Sequence, residues 1–201
     1  MTKNAKSRAV VAVTGASGLI YAVRLLRILA LSDCEISCIV SDAAMAMIPS
    51  ELGAPDIQSA LASALTGEKP VAQIKFYSES DFFAPPASGS FRFDAMAVIP
   101  CSMKTLGKMA NSIADNLIIR AADVALKERR RLVVVPRETP LALTHLRNMC
   151  ALSEAGAVIL PACPAFYNSP KTVEDLADFV AARTASSMGF EQNILKEWGH
   201  E

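Results

Sequence analysis

The stretch A-V-V-A-V-T-G-A-S-G at residues 9–18 decides the fold of this chain. Its first half is a short apolar run typical of a parallel strand covered on both faces, and its second half is a glycine-containing turn. A helical pattern at residues 19–31 follows directly. Glycines permit a tight turn, and the free N–H groups at the start of the next helix suit a phosphate. The stretch therefore predicts a strand, a turn and a helix that bind a phosphate or a nucleotide.

The same alternation of strand and helix continues along the chain. Further apolar runs of strand length lie at residues 35–41, 95–100, 132–136 and 157–160, with a weaker one at 72–77. Helical patterns lie at residues 42–48, 57–65, 105–110, 113–130, 141–153 and 172–188. This alternation predicts an open, doubly wound parallel sheet. Because such sheets bind ligands beyond the carboxyl ends of their strands, we expect the functional residues where strands lead into helices.

Composition sets the protein class. The chain has 201 residues, 52% of them hydrophobic and 20% charged, which is the balance of one globular domain with one core. The formal net charge of +0 provides no overall field that would attract nucleic acid or an anionic membrane. Any phosphate must therefore be bound by a local group of charges and hydrogen-bond donors.

The apolar N-terminal segment and the cysteines indicate a cytoplasmic protein. Residues 9–23 superficially resemble a signal peptide, but the turn at residues 14–18 would break its helix, and Arg24 and Arg27 exclude a membrane span. The five cysteines form no regular framework, which argues against a secreted, disulfide-linked domain. No Cys or His cluster completes a metal site.

Polar residues follow the predicted strands. Ser41 can cap the helix after the second strand, and Ser102 and Thr105 place two hydroxyl groups after the run at 95–100, where they could cradle a flavin. Arg137 and Glu138 follow the run at 132–136, where they could bind a phosphate and transfer a proton.

A dehydrogenase interpretation rests on two weaker matches. T-G-x-x-G occurs in short-chain dehydrogenases, and Tyr167 and Lys171 have the spacing of their Y-x-x-x-K motif. However, Tyr21 stands where the last glycine of the dinucleotide fingerprint is needed, and Pro170 would interrupt the helix that must present Tyr and Lys together. We interpret the Tyr167 and Lys171 match as chance.

Several motifs in series resemble those of the UbiX-type flavin prenyltransferases. The resemblance runs from about residue 9 to residue 198 and rests on T-G-A-S-G at 14–18, Ser41, A-P-P-A-S-G-S at 84–90, P-C-S at 100–102, D-N-L-I at 115–118, R-A-A-D-V at 120–124, L-K-E-R-R at 126–130 and P-R-E at 136–138. It implies a three-layer α/β/α, flavodoxin-like Rossmannoid parallel sheet of the homo-oligomeric flavoprotein type. It also implies dodecamers built from trimers, with the site at a subunit interface.

The resemblance implies transfer of a dimethylallyl group from dimethylallyl phosphate to N5 and C6 of reduced FMN without a metal. The product, prenylated FMN, would serve a UbiD-type decarboxylase. The positions implied to contact FMN are Gly15, Ala16, Ser17, Ser41, Ser102, Met103, Lys104, Thr105 and Arg137. Those implied to surround dimethylallyl phosphate are Arg120, Lys127, Glu138, Tyr167 and Arg183, with Glu51 nearby. Among them, Lys127 would neutralise the leaving phosphate, and Glu138 with Ser17 would move protons.

Some features and alternatives stay open. Phe82 stands where relatives carry Trp, so the isoprenoid pocket is expected to differ in shape, and the tail at residues 189–201 is expected to dock on a neighbouring subunit. A flavin-dependent cysteine decarboxylase needs a catalytic His early in the chain, whereas this chain has only His145 and His200. A non-catalytic flavin carrier is the other alternative. The motifs do not distinguish a monophosphate donor from a pyrophosphate donor.

Overall fold

The computed structural model describes residues 6–195, which form a six-stranded parallel sheet in the order β3-β2-β1-β4-β5-β6. The strands are β1 Ser7–Val13, β2 Cys34–Val40, β3 Gln73–Ser78, β4 Ala95–Cys101, β5 Arg131–Pro136 and β6 Val158–Ile159. The chain moves outward from β1 to β3 and then returns to place β4 on the other side of β1. The carboxyl ends of β1 and β4 therefore form the switch point at which such sheets bind ligands.

Helices cover both faces of the sheet, so the expected three-layer, flavodoxin-like fold is confirmed. They are α1 Leu19–Ala30, α2 Asp42–Leu52, α3 Ile57–Leu65, α4 Met103–Ala110, α5 Leu117–Lys127, α6 Leu143–Glu154 and α7 Val173–Met188, with a short 3-10 turn at Pro85–Ala87. No helix within residues 6–195 combines the length and the apolar character that a bilayer crossing requires.

The alternation of side chains along the central strands divides the core into two layers. Ala9, Val11 and Val13 of β1 face one layer, which includes α1 and α7. Val10 and Ala12 face the other, which includes α4 and α5. Both sets are fully buried, as expected for a parallel strand between two helical layers. Helices α5 and α7 therefore lie on opposite faces of the sheet.

Two predicted elements are shorter than their sequence patterns indicate. The helix predicted at residues 113–130 begins only at Leu117, because Oδ1 of Asn116 caps it by accepting a 2.9 Å hydrogen bond from the N–H of Ile119. The strand predicted at residues 157–160 retains two paired residues, since β6 lies at the edge of the sheet and pairs only with β5. Of the predicted docking tail, residues 196–201, with Trp198 and His200, lie outside the described part of the chain.

Candidate functional site

The switch point is held together by the buried hydroxyl group of Thr14. Its Oγ1 donates a 2.7 Å hydrogen bond to the carbonyl oxygen of Pro100 and accepts a 2.9 Å hydrogen bond from the N–H of Ser102. Thr14 is only 1% exposed, so these bonds satisfy polar groups that water does not readily reach. The turn after β1 is therefore tied to the start of α4.

Two glycines in the turn after β1 have no room for a side chain. A Cβ atom on Gly15 would lie 2.4 Å from Cβ of Ala43, so only glycine lets α2 approach this closely. Gly18 has a φ of 105°, and a Cβ atom there would lie 2.8 Å from Cε2 of Tyr21. Burial raises the pKa of the Tyr21 phenol, and the nearby Arg137 opposes that increase.

Glu51 changes the interpretation of the N-terminus of α1. Its Oε2 accepts hydrogen bonds from the N–H groups of Gly18, at 2.8 Å, and Leu19, at 3.0 Å. The expectation that this helix offers free N–H groups to a phosphate is thus wrong for these two, because a carboxylate from the end of α2 already complements the helix dipole. Partial burial opposes ionisation of Glu51, but the hydrogen bonds from Leu19, Gly18 and Ser17 and the charge of Arg137 outweigh it and lower its pKa.

Arg137 connects the exit of β5 to the same turn. Its Nε donates a 2.7 Å hydrogen bond to the carbonyl oxygen of Ser17, and its backbone N–H donates to the carbonyl oxygen of Cys101 at 3.2 Å. Ser17 is exposed at the crevice, and its hydroxyl group hydrogen-bonds to the carboxylate of Glu51. Glu138 follows, also exposed, and its Oε1 accepts a 2.9 Å hydrogen bond from the N–H of Thr139.

The predicted hydroxyl groups lie at two further helix starts. Ser41 caps α2, its Oγ accepting a 3.1 Å hydrogen bond from the N–H of Ala44. Ser102 caps α4, its Oγ accepting from the N–H of Thr105 at 3.3 Å and donating to Oγ1 of Thr105 at 3.0 Å. Met103, Lys104 and Thr105 form the first turn of α4. The residues implied to contact FMN therefore lie at the carboxyl ends of the adjacent strands β2, β1, β4 and β5.

Arg120 and Lys127 lie on α5, beside the loop at residues 84–90. Nε of Arg120 donates a 3.0 Å hydrogen bond to the carbonyl oxygen of Ala87, and its guanidinium also pairs with Asp123. Nζ of Lys127 lies 2.7 Å from Oε1 of Glu128 and 3.0 Å from the position that a Cβ atom on Gly89 would take. The hydrogen bond from Lys127, followed by its charge, lowers the pKa of Glu128.

Tyr167 and Arg183 lie on a different part of the surface. The Tyr167 ring, 62% exposed, meets Phe179 of α7 edge-on with ring centroids 6.0 Å apart. Arg183 is exposed on the same helix. Since α5 and α7 cover opposite faces of the sheet, one chain does not gather Arg183 with Arg120 and Lys127 into a single cluster.

Three residues that organise the site are not among those implied to contact a ligand. Thr14 joins β1 to β4, and Glu79 joins β2 to α5. Arg130 anchors the loop beside α5, donating 2.7 Å hydrogen bonds to the carbonyl oxygens of Gly89 and Phe91 and covering the Phe93 ring at 4.4 Å. Within residues 6–195, no group of three or more His, Cys, Asp or Glu side chains is placed to hold a metal.

Comparisons with known proteins agree with this architecture. The model of the flavoprotein family matches residues 1–185. The flavin prenyltransferase UbiX of Methanocaldococcus jannaschii is 45% identical over 94% of this chain and 97% of its own length. The flavin prenyltransferase UbiX of Pseudomonas aeruginosa is 46% identical over 96% of this chain and 95% of its own.

Solved structures show the same likeness. The crystal structure of AnUbiX (PadA1) in complex with FMN and dimethylallyl pyrophosphate has a TM-score of 0.88 and 40% identity, and covers 98% of this chain and 100% of that one. A dodecameric FMN-dependent UbiX-like decarboxylase from Escherichia coli O157:H7 has a TM-score of 0.79 and 43% identity, covering 92% and 96%. The FMN-dependent cysteine decarboxylase SpaF, with a TM-score of 0.55 and 19% identity over 89% and 99%, shares the fold alone.

Proposed function

Since the chain belongs to the flavoprotein family and, within it, to the UbiX-type flavin prenyltransferases, we propose that it transfers a dimethylallyl group from dimethylallyl phosphate to N5 and C6 of reduced FMN. One observation carries the proposal. The residues implied to contact FMN meet at the ends of four adjacent strands, joined by the bonds between Thr14 and Ser102 and between Arg137 and Ser17. Such a crevice at a switch point is where parallel sheets bind nucleotide-like ligands.

The donor groups at this edge suit a flavin mononucleotide. Ser17, Ser41 and Ser102 offer hydroxyl groups, and Lys104 and Arg137 offer cations to a phosphate. Gly15 and Ala16 keep the turn free of bulky side chains. When bound, reduced FMN supplies the ring atoms N5 and C6 that accept the dimethylallyl carbons. The AnUbiX crystal structure, which contains FMN and dimethylallyl pyrophosphate, supports FMN and a phosphorylated dimethylallyl donor as the ligands of this chain.

The second group of residues suits the leaving phosphate. Arg120, Lys127 and Arg183 are cations, and the Tyr167 hydroxyl is a neutral donor, so together they would neutralise the charge that develops as the phosphate departs. Because α5 and α7 lie on opposite faces of one chain, we propose that neighbouring subunits complete the cluster, in an assembly like the dodecamer of the Escherichia coli relative.

Glu138 and Ser17 are the proposed proton carriers. Arg137 holds the Ser17 backbone, and Glu138 directly follows Arg137 at the exit of β5, so both proposed carriers lie at the edge of the sheet where we expect the flavin. Closing the new ring would take up one proton at the prenyl double bond and release one from C6 of the flavin, and a carboxyl group with a serine hydroxyl group can donate the first and accept the second. Delivery of the product to a UbiD-type decarboxylase and a place in the cytoplasm belong to the same proposal.

A mass measurement tests the proposal. The protein is mixed anaerobically with reduced FMN and with either dimethylallyl phosphate or the pyrophosphate. The mass of the released flavin is then measured by mass spectrometry. We expect a flavin heavier by one C5H8 unit. Lys127→Met should abolish this product while FMN still binds, and Lys69→Met, at an exposed lysine in the loop between α3 and β3, should leave product formation intact. Bound FMN of unchanged mass with both donors would instead identify a flavin carrier.

A further inference from the structure

Glu79 makes hydrogen bonds to both halves of the proposed site. It directly follows the edge strand β3 and is half-buried. Toward the flavin half, its backbone N–H donates to the carbonyl oxygen of Val40 at 3.3 Å, and its Oε1 accepts a 2.9 Å hydrogen bond from the N–H of Asp42. Val40 and Asp42 flank Ser41, so these two bonds hold the junction that presents the Ser41 hydroxyl group.

The other two bonds of Glu79 reach the start of α5. Its carbonyl oxygen accepts a 2.8 Å hydrogen bond from the N–H of Leu117, and its Oε2 accepts a 2.5 Å hydrogen bond from Nδ2 of Asn116. Asn116 is itself fixed, since its Oδ1 caps α5 at Ile119. The amide group of Asn116 therefore has one oriented acceptor and one oriented donor, and Glu79 binds the donor.

The chemistry of the bridge requires a carboxylate. The two donors lie on different elements and contact different oxygens, and only an ionised Asp or Glu side chain has an acceptor on each arm. The negative charge also lies at the N-termini of both α2 and α5, where the helix dipoles favour an anion. One side chain thus connects the β2–α2 junction to the helix that carries Arg120 and Lys127.

We propose that Glu79 is a positioning residue that sets the Ser41 junction, on the flavin side, relative to α5, on the side of the allylic phosphate. The inference rests on the proposed function, because it takes Arg120 and Lys127 as the groups that meet the phosphate. A displacement of the first turn of α5 shifts Arg120, one turn away, and Lys127, at the far end of the helix. Glu79 is not among the residues implied to contact either ligand, and it acts through Ser41 and α5.

An exchange of donor and acceptor between Glu79 and Asn116 tests the bridge. Glu79→Gln keeps only one acceptor, so its new NH2 group faces either the NH2 group of Asn116 or the N–H of Asp42 and one of the two bonds is lost. Asn116→Asp keeps the helix cap but sets a carboxylate against Glu79. We expect each single variant to weaken the binding of dimethylallyl phosphate to the oxidised FMN complex, measured by calorimetry, by about fivefold or more, the value of one hydrogen bond. In the double variant, the new amide at position 79 can donate to the new carboxylate at position 116, so we expect affinity to return to within about twofold of the wild type.

A matched control separates positioning from general stability. Glu35→Gln removes a carboxylate that pairs with Arg8 at 2.7 Å at the opposite end of β2, so we expect it to change donor affinity and FMN affinity by less than about twofold. Glu79→Ala, which also frees the Asp42 N–H, should weaken FMN binding as well, by a similar factor of about five. The melting temperature of every variant is recorded alongside.

Two results would overturn the inference. One is a double variant whose affinity for dimethylallyl phosphate is no higher than the combined losses of the two single variants predict. The other is a set of variants that lower the melting temperature without changing ligand affinity. Both readouts are binding measurements without turnover. A wild-type protein that binds both ligands but makes no prenylated flavin would therefore refute the proposed function while the exchange still decides the role of Glu79.

Discussion

The hydroxyl group of Thr14 accepts a 2.9 Å hydrogen bond from the backbone N–H of Ser102, which lies 88 residues further along the chain. The same hydroxyl group donates to Pro100, so a single buried side chain joins the ends of β1 and β4. The proposed flavin crevice opens at this junction, so its geometry depends on Thr14, which is not among the residues implied to contact FMN.

Replacement of Thr14 by valine should therefore destabilise the protein. The change leaves the Ser102 N–H and the Pro100 carbonyl without their partner, at a cost of about 1–3 kcal/mol in the free energy of unfolding. Thr14→Ser keeps the hydroxyl group and should retain most of the stability. Denaturant unfolding of both variants measures the difference, and equal stabilities would contradict the role of the hydroxyl group.

The close approach of Gly15 to Ala43 predicts a rescue. Gly15→Ala should cost about 1–3 kcal/mol, because the new methyl group would overlap the Ala43 side chain. Ala43→Gly removes that obstacle, so the double variant should recover all but about 1 kcal/mol, the helix cost of glycine. Thermal unfolding checks this, and a double variant as unstable as Gly15→Ala would show that the contact is not the cause.

Arg137 should control flavin affinity through its bond to Ser17. Arg137→Lys keeps the positive charge but loses the Nε donor, so we expect the dissociation constant for FMN to rise about tenfold. Quenching of flavin fluorescence gives this constant. Arg92→Lys, at an exposed arginine beside the amino end of β4, serves as the control and should bind FMN like the wild type.

Glu51 predicts a dependence of stability on pH. Its pKa is lowered in the folded state, so its carboxylate stabilises the fold above the pKa of the unfolded chain, and this contribution is lost as the pH falls through the lower folded-state pKa. The wild type should therefore have a higher melting temperature than Glu51→Gln at neutral pH, and this gap between the two melting temperatures should close as the pH falls. Glu191→Gln, at an exposed position, should show no such gap. A gap that widens in acid would reverse the sign and refute this account.

Local patterns predicted most of the fold. Continuous apolar runs of strand length indicated the buried strands β1, β2, β4 and β5, because such runs are typical of a parallel sheet covered on both faces. The start of α5 was predicted too early, since Ile113 continues the helical pattern although Asn116 is the residue that caps the helix. An N-cap asparagine followed by L-I-I was a usable signal.

The site was less predictable than the fold. Residues at strand ends could be predicted because they directly follow an apolar run. The series of motifs added the residues implied to surround dimethylallyl phosphate. The resemblance placed Glu51 near the dimethylallyl phosphate, but its contact with the N-terminus of α1 could not be predicted, because its partners lie more than thirty residues away and are backbone groups. The bridging role of Glu79 could not be predicted for the same reason, since Asp42 and Asn116 each lie 37 residues away in opposite directions.

The strand order has a consequence for synthesis. The first turn of the site emerges from the ribosome early, but Ser102 and Arg137, which complete it, are made roughly ninety and one hundred and twenty residues later. A nascent chain that ends before β5 lacks Arg137, so we expect it to bind FMN more weakly than the full chain. FMN should therefore stabilise most those chains in which the central strands have assembled.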